Sequence, residues 1–415
     1  MKVLVVEDSV LVTKILKLLI SQQSVPIEAV FCTTLAEAQT LLDRSVDQFY
    51  MALVDLNLPD APSGEIVDLT LAVNLPTVVL TGSYDEQRRE SLLNQGVVDY
   101  VVKESRYSYE FAAHLVERLY TNSSVRILVA EDSATFRKLL RSQLERYRYQ
   151  VIEATDGEAA LEVLRSQPDI RILITDYHMP KMNGVELVQV IRRELDKSDL
   201  VIIGLSSADS GALSAQFIKN GANDFLRKPF NYEELHCRVM QNLDSIDLLN
   251  QVRRAANEDV LTGLNNRRFL FEEGEKVLAH ARESGLPVSL AMVDLDHFKQ
   301  INDRYGHDGG DAVLVHVADL FRSYLKRFML ARIGGEEFCL LLEGMTLEQA
   351  AQLMERFRQH LADTPVQFEH ETITVSMSGG VTGYESGSLS ALISEADQLL
   401  YQAKEAGRNR IVVSD

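Results

Sequence analysis

The sequence predicts an α/β protein: two doubly wound parallel-sheet domains in tandem, then a third α/β domain of different pattern. Three observations carry that expectation. The 415 residues suit about three domains of roughly 150 residues each. The opening KVLVVEDSVLVTKILK returns as RILVAEDSATFRKLLR from Arg126, aligning Glu7, Asp8, Ser9 and Lys14 with Glu131, Asp132, Ser133 and Lys138. From Asp259 onward the order of strands and helices changes.

In each copy of the repeat a short β-branched strand runs into an acidic pair and then into an apolar pattern with a period near 3.6. Later strands read MALVD, PTVVLT and VDYVVK in the first copy, and RILITD, LVIIGLS and NDFLRK in the second. Strands alternating with helical stretches predict a parallel sheet with helices on both faces. Ligands of such sheets bind beyond the carboxyl ends of the strands. Those ends carry Asp8, Asp55, Thr81 and Lys103 in the first copy, and Asp132, Asp176, Ser206 and Lys228 in the second. Successive separations are 47, 26 and 22 residues, then 44, 30 and 22.

Carboxylates brought this close ionise together only if a divalent cation holds them. One Mg2+ per copy is therefore expected, on Asp8 and Asp55 in the first and on Glu131, Asp132 and Asp176 in the second. The lone central acid, Asp55 or Asp176, is then a nucleophile for a phosphoryl group, with the lysine and hydroxyl on its oxygens. Both copies resemble response-regulator receiver domains, which are flavodoxin-like, over residues 1–121 and 122–243. The resemblance implies phosphorylation of Asp55 and Asp176 by a histidine kinase or phosphotransfer protein. It also implies a switch through Thr81, Tyr100 and Lys103, and through Ser206, Phe225 and Lys228. The first copy departs from the pattern in having Glu104 where Pro229 follows Lys228, and in a segment from Asp55 to Thr81 that is four residues shorter. An inert adaptor role for one copy stays open.

A helix is expected from Tyr232, with Leu235, Val239, Leu243, Ile246 and Leu249 on one stripe out to Val252. Its first half belongs to the second copy, and residues 244–256 form a helical linker able to pair with a second chain.

The third domain, 257–415, begins with DVLTGLNNRRF and a helix, then a strand VSLAMVDLDHFKQIND, a turn YGHDGGD, another helix and a hairpin LARIGGEEFCLLLEG. Gly334 and Gly335 make the hairpin tip, Glu336 and Glu337 follow, and Asp294 ends the neighbouring strand. Acids meeting at a glycine-lined turn suggest Mg2+ against a nucleotide triphosphate. This order and these motifs resemble the GGDEF domains of diguanylate cyclases, with a palm-like, nucleotidyl cyclase-like α/β sheet.

The resemblance implies synthesis of cyclic di-GMP from two GTP by a homodimer, with two Mg2+ per site on Asp294, the Leu295 carbonyl, Glu336 and Glu337. It gives Glu336 and Glu337, with Lys404 and Arg408 on one helical face, to catalysis and phosphate binding. Phe298, Lys299, Asn302, His307 and Asp311 join Gly334 and Gly335 around the substrate, Asp311 favouring guanine through its N1–H and exocyclic amine. The Arg-x-x-Asp pair of product-inhibited members is replaced by Leu325 and Phe328, so weak product inhibition is expected. The competing reading is a phosphorelay adaptor that binds GTP without turnover.

A net charge of −19 opposes nucleic acid as a partner. The absence of an apolar run near 20 residues, and acids at positions 7 and 8, predict a cytoplasmic chain without membrane insertion. Cys32, Cys237 and Cys339 are expected as separate thiols in a reducing compartment.

Overall fold

The computed structural model describes residues 2–207 and 211–414, and divides between Ile246 and Asp247 into two compact units. The first unit holds ten strands. They are β1 (Lys2–Val6), β2 (Glu28–Cys32), β3 (Phe49–Asp55), β4 (Thr77–Thr81), β5 (Asp99–Val102), β6 (Arg126–Ala130), β7 (Gln150–Ala154), β8 (Ile170–Asp176), β9 (Val201–Ser206) and β10 (Asp224–Arg227). They form two five-stranded parallel sheets of one topology, β2-β1-β3-β4-β5 and β7-β6-β8-β9-β10. The central strand FYMALVD is buried along its whole length, as helices on both sheet faces require. The repeated serine of the EDS motif has a local task. Ser9 and Ser133 cap the helices Val10–Ser21 and Ala134–Arg146, their hydroxyls accepting from the backbone N–H of Val12 and Phe136.

One face of each sheet packs under its own helices, around Leu4, Val54 and Ile66 in the first copy and Leu128, Leu173 and Phe217 in the second. The other faces share a core. Val3, Leu53, Leu115 and Leu119 of the first copy lie in one apolar cluster with Ile127, Ile174, Val239 and Leu243 of the second. The predicted helix runs unbroken over Tyr232–Asn257. Its residues Leu235 to Ile246 supply the buried face, while Leu248, Leu249 and Val252 are exposed.

The second unit has a six-stranded mixed sheet of β11 (Asn265–Asn266), β12 (Val288–Leu295), β13 (Met329–Gly334) and β14 (Glu337–Glu343), with β17 (Met377–Gly383) and β18 (Ile411–Val413). A separate small hairpin is formed by β15 (Val366–Phe368) and β16 (Glu371–Ile373). The sheet order is β11-β13-β14-β12-β17-β18, with β12 in the middle, antiparallel to β14 and β17. Helices Arg267–Ser284 and Phe298–Tyr324 stand in the expected order. The expected turn YGHDGGD is a correction: the helix resumes at once after a single non-helical residue, Gly306, at φ 74 and ψ 175, a conformation open to glycine alone. No helix among the described residues is long and apolar enough to cross a membrane.

Candidate active site and phosphoacceptor sites

In both copies of the repeat the strand ends bring the expected acids together. The carboxylate oxygens of Glu7, Asp8 and Asp55 lie within 4.8 Å of one another, and so do those of Glu131, Asp132 and Asp176. Glu7 thus completes a trio that the sequence reading had given only Asp8 and Asp55. Lys103 Nζ donates to Glu7 Oε2 at 2.7 Å and Asp55 Oδ2 at 2.6 Å; Lys228 Nζ donates to Glu131 Oε2 and Asp176 Oδ1, both at 2.6 Å. Burial pushes the Glu7 and Glu131 carboxyls up, against the pull of the lysine and with repulsion from the central aspartate. Burial also opposes charge on Lys103, but hydrogen bonds to Asp55 and Glu7 outweigh it and leave its ammonium above the usual range. Three acids of which two are buried suit a hard divalent cation.

The departures of the first copy leave this geometry intact. Its shorter segment falls in the connection to β4, where residues 73–76 do what 192–200 do before β9. Thr81 and Ser206 are both buried. Tyr100 is also buried and donates through its hydroxyl to the Ser83 carbonyl at 3.1 Å, whereas Phe225 is half-buried against Phe217.

In the second unit, pairing sets Asp294 of β12 opposite Glu337 of β14 and Ser378 of β17. Gly334 pairs with Glu337, so the turn itself is Gly335–Glu336 and not the two glycines. A register shift between Arg332 and Gly334 moves the tip by one residue, and Gly335 takes it at φ +26. Arg332 braces the turn, donating to the Gly335 carbonyl at 2.9 Å and to Asp259 Oδ1 at 2.8 Å, while Asp259 also accepts from the Thr262 hydroxyl and N–H. That is the physical use of the DVLTG segment.

Burial pushes the Asp294 carboxyl up; Lys404 Nζ, at 2.8 Å, pulls the other way, and Glu336 and Glu337 raise it further. A buried acid repelled by two others is a donor set that fits a divalent cation. Among the described residues these three do not gather within 4.8 Å as the trios of the first unit do.

Lys404 and Arg408 do not share a helical face, a second correction. The helix is Leu389–Glu405, and Gly407 at φ 110 ends it, with the Arg408 N–H returning to the Ala403 carbonyl at 3.1 Å. Arg408 is exposed beyond the helix at φ 61.

On the helix Phe298–Tyr324, Lys299, His307 and Asp311 are exposed and Asn302 is half-buried. The Phe298 ring is buried in the core at the start of this helix. A Cβ at Gly310 would fall 1.9 Å from Asn302 Oδ1, so glycine at 310 lets Asn302 lie beside Asp311. Leu325 and Phe328 pack in the core.

Sequence reasoning missed a buried hub at Asp296. Its carboxylate accepts from the hydroxyls of Ser376 (2.8 Å) and Ser378 (2.7 Å) and from the N–H of Asn409 (3.0 Å). The signal available was a second acid in VDLDHF, immediately after the strand that ends at Leu295.

Residues 256–410 match the family model for the diguanylate cyclase GGDEF domain, and residues 127–240 that for the response regulator receiver domain. Over 299 residues the chain is 29% identical to the response regulator PleD of Caulobacter vibrioides, covering 69% of this chain and 65% of PleD. A diguanylate cyclase of Vibrio cholerae is 38% identical over 173 residues, 41% of this chain and 53% of the relative. The chain thus spans less than two thirds of the length of either curated relative. A solved two-component response regulator/GGDEF domain protein is 44% identical, with 59% of this chain and 99% of that one covered and a TM-score of 0.56. With that relative covered almost end to end, and both matched domains in the same order along the sequence, the chain belongs to the response regulators that carry a GGDEF domain.

Proposed function

We propose that the chain is a diguanylate cyclase: it condenses two GTP into cyclic di-GMP and two pyrophosphates, as a homodimer in the cytoplasm. The observation that carries this reading is Asp294 paired across from Glu337, next to the Gly335–Glu336 turn and with Lys404 on its carboxylate. Asp294, the Leu295 carbonyl, Glu336 and Glu337 would hold Mg2+, which supplies positive charge to the triphosphate and to the attacking oxygen. Glu336, half-buried in the turn, takes the proton of the 3′-hydroxyl as its oxygen bonds to the α-phosphorus of the other GTP and pyrophosphate leaves. Lys404 and Arg408 neutralise the departing phosphates. Asn302 and Asp311 hold the guanine edge. Each unit carries one GTP, and the product has two 3′–5′ bonds, so two copies must face each other to finish it.

The proposed division is receiver 1–121, receiver 122–243, linker 244–256 and cyclase 257–415. Both receivers are read as phosphoacceptors because the trio and its lysine are the same in each. Incubation with GTP and Mg2+ should yield cyclic di-GMP by chromatography, and Glu336→Gln should lower turnover by about 10²–10³-fold, the usual worth of a positioned base. GTP bound without product would favour the adaptor instead. With a small-molecule phosphoryl donor, Asp55→Asn and Asp176→Asn should each remove part of the activation; a variant that activates fully marks its receiver as inert.

A further inference from the structure

Arg408 stands on a backbone that side chains resist. Gly407, Arg408 and Asn409 follow one another at φ 110, 61 and 47, two of them non-glycine residues in the left-handed region. Such a run persists only where its surroundings over-determine it. The surroundings are contacts to the residue that follows, Asn409. Asn409 N–H donates to Asp296 Oδ2 at 3.0 Å and to Ser378 Oγ at 3.1 Å. Asp296 is fixed in turn by the Ser376 and Ser378 hydroxyls, and its own N–H by the Ser376 carbonyl at 2.9 Å. Arg358 adds a second hold, donating to Asn409 Oδ1 at 2.6 Å while its guanidinium forks onto Glu355 at 2.6 and 2.9 Å. The Arg408 guanidinium has no hydrogen-bond or ion-pair partner among the described residues and is exposed.

We infer that Asp296, with Arg358 behind it, is a positioning residue that sets Arg408 for the triphosphate of the nucleotide. The inference rests on the reading of this unit as a GTP site. Asp296 is suited to the task because it is a buried acceptor-only group facing three donors at once. An asparagine there must turn an NH2 toward at least one of these groups and removes the carboxylate charge that strengthens the bond from the Asn409 N–H. Two residues earlier, at the end of β12, Asp294 touches Lys404. Alternate residues Asp294 and Asp296 therefore serve the two cations of the C-terminal segment in different ways, one by contact and one through the backbone.

The test is a double-mutant cycle on binding of 3′-deoxy-GTP, which lacks the hydroxyl that reacts and so reports binding alone. Asp296→Asn and Arg408→Ala should each weaken binding about tenfold, and the double variant no more than Arg408→Ala by itself. Combined with Asn302→Ala, on a different element, Asp296→Asn should instead multiply the losses, whereas a general loosening of the unit would act alike in the Asn302→Ala and Arg408→Ala backgrounds. If Asp296→Asn fails to fold, Arg358→Gln replaces it, with about threefold weaker binding that vanishes in the Arg408→Ala background. Multiplying losses with Arg408→Ala, or unchanged affinity in Asp296→Asn, overturns the assignment. Wild-type protein that binds 3′-deoxy-GTP but makes no cyclic dinucleotide from GTP defeats the proposed activity alone, and the cycle still decides the role of Asp296.

Discussion

His236 is held neutral by its surroundings. Its ring is 3% exposed, stacked on Tyr147 and tilted against Tyr149, and neither nitrogen has a hydrogen-bond partner among the described residues. Burial drives its pKa well below the ordinary value, with only Asp244 pulling the other way. The unfolded chain takes up the proton near pH 6.5 and the folded chain does not, so stability is full above that pH and is lost as pH falls below it. Each pH unit below about 6.5 costs up to roughly 1.4 kcal/mol until the folded value is reached. His236→Phe keeps the stacking and removes the proton. Urea titrations at pH 7 and pH 5 should show a smaller acid loss for the variant than for the wild type, and equal losses would refute the assignment. His236 was not legible in the sequence, because no local pattern tells which side of its helix meets Tyr147 and Tyr149, about 90 residues earlier. The trios were legible, since each acid ends a strand and the repeat shows the set twice. Asp296 and Asn409 are 113 residues apart, and nothing in either segment alone announces the other.

At the scale of elements, period revealed more than boundaries. The stripe from Leu235 to Val252 became one helix, and the split into compact units falls within it, after Ile246. Ile246 is 9% exposed within the shared core, and the Asp244 carboxylate meets His114 Nε2 at 3.1 Å and Arg118, both on the helix Arg106–Thr121 of the first copy. Replacing Ile246 would therefore damage the core of the first unit, whatever the exposed end of the helix does. The clean test uses Leu249 and Val252, three apart and 41% and 58% exposed. If this face pairs with a second chain, Leu249→Asp with Val252→Asp should shift sedimentation toward monomer and lower cyclase activity about tenfold at micromolar chain, by mass action, with melting unchanged. A dimer as stable as wild type would rule the stripe out. The end of the helix before Arg408 was readable from Gly407, the residue type that closes helices in the left-handed conformation, and spacing alone misled there.

For the whole molecule, the repeat made two sheets legible but predicted two self-sufficient domains. A duplicated sequence carries the same pattern in both copies, so it shows the core each builds for itself and hides the one they build together. Here the joint core is bordered by polar contacts between the copies. Tyr147 Oη donates to Asp99 Oδ2 at 3.0 Å, Tyr232 Oη to the Val98 carbonyl at 2.8 Å, and Arg146 and Arg148 to the Leu93 and Tyr50 carbonyls at 2.9 and 3.3 Å. Arg89 pairs with Glu233 beside them. Asp99 and Tyr147 are both buried, so removing the first copy opens the apolar surface of the joint core to water, a loss that scales with the apolar area uncovered. Residues 1–246 should then unfold together. Calorimetry of the full chain is expected to give two transitions, one for each compact unit. A chain beginning at residue 122 should lose about 10 °C or more from the first transition and keep the second unchanged. Three resolved transitions, or a truncated chain that melts like the whole, would mean that the two copies of the repeat fold independently, with no common core between Asp55 and Asp176.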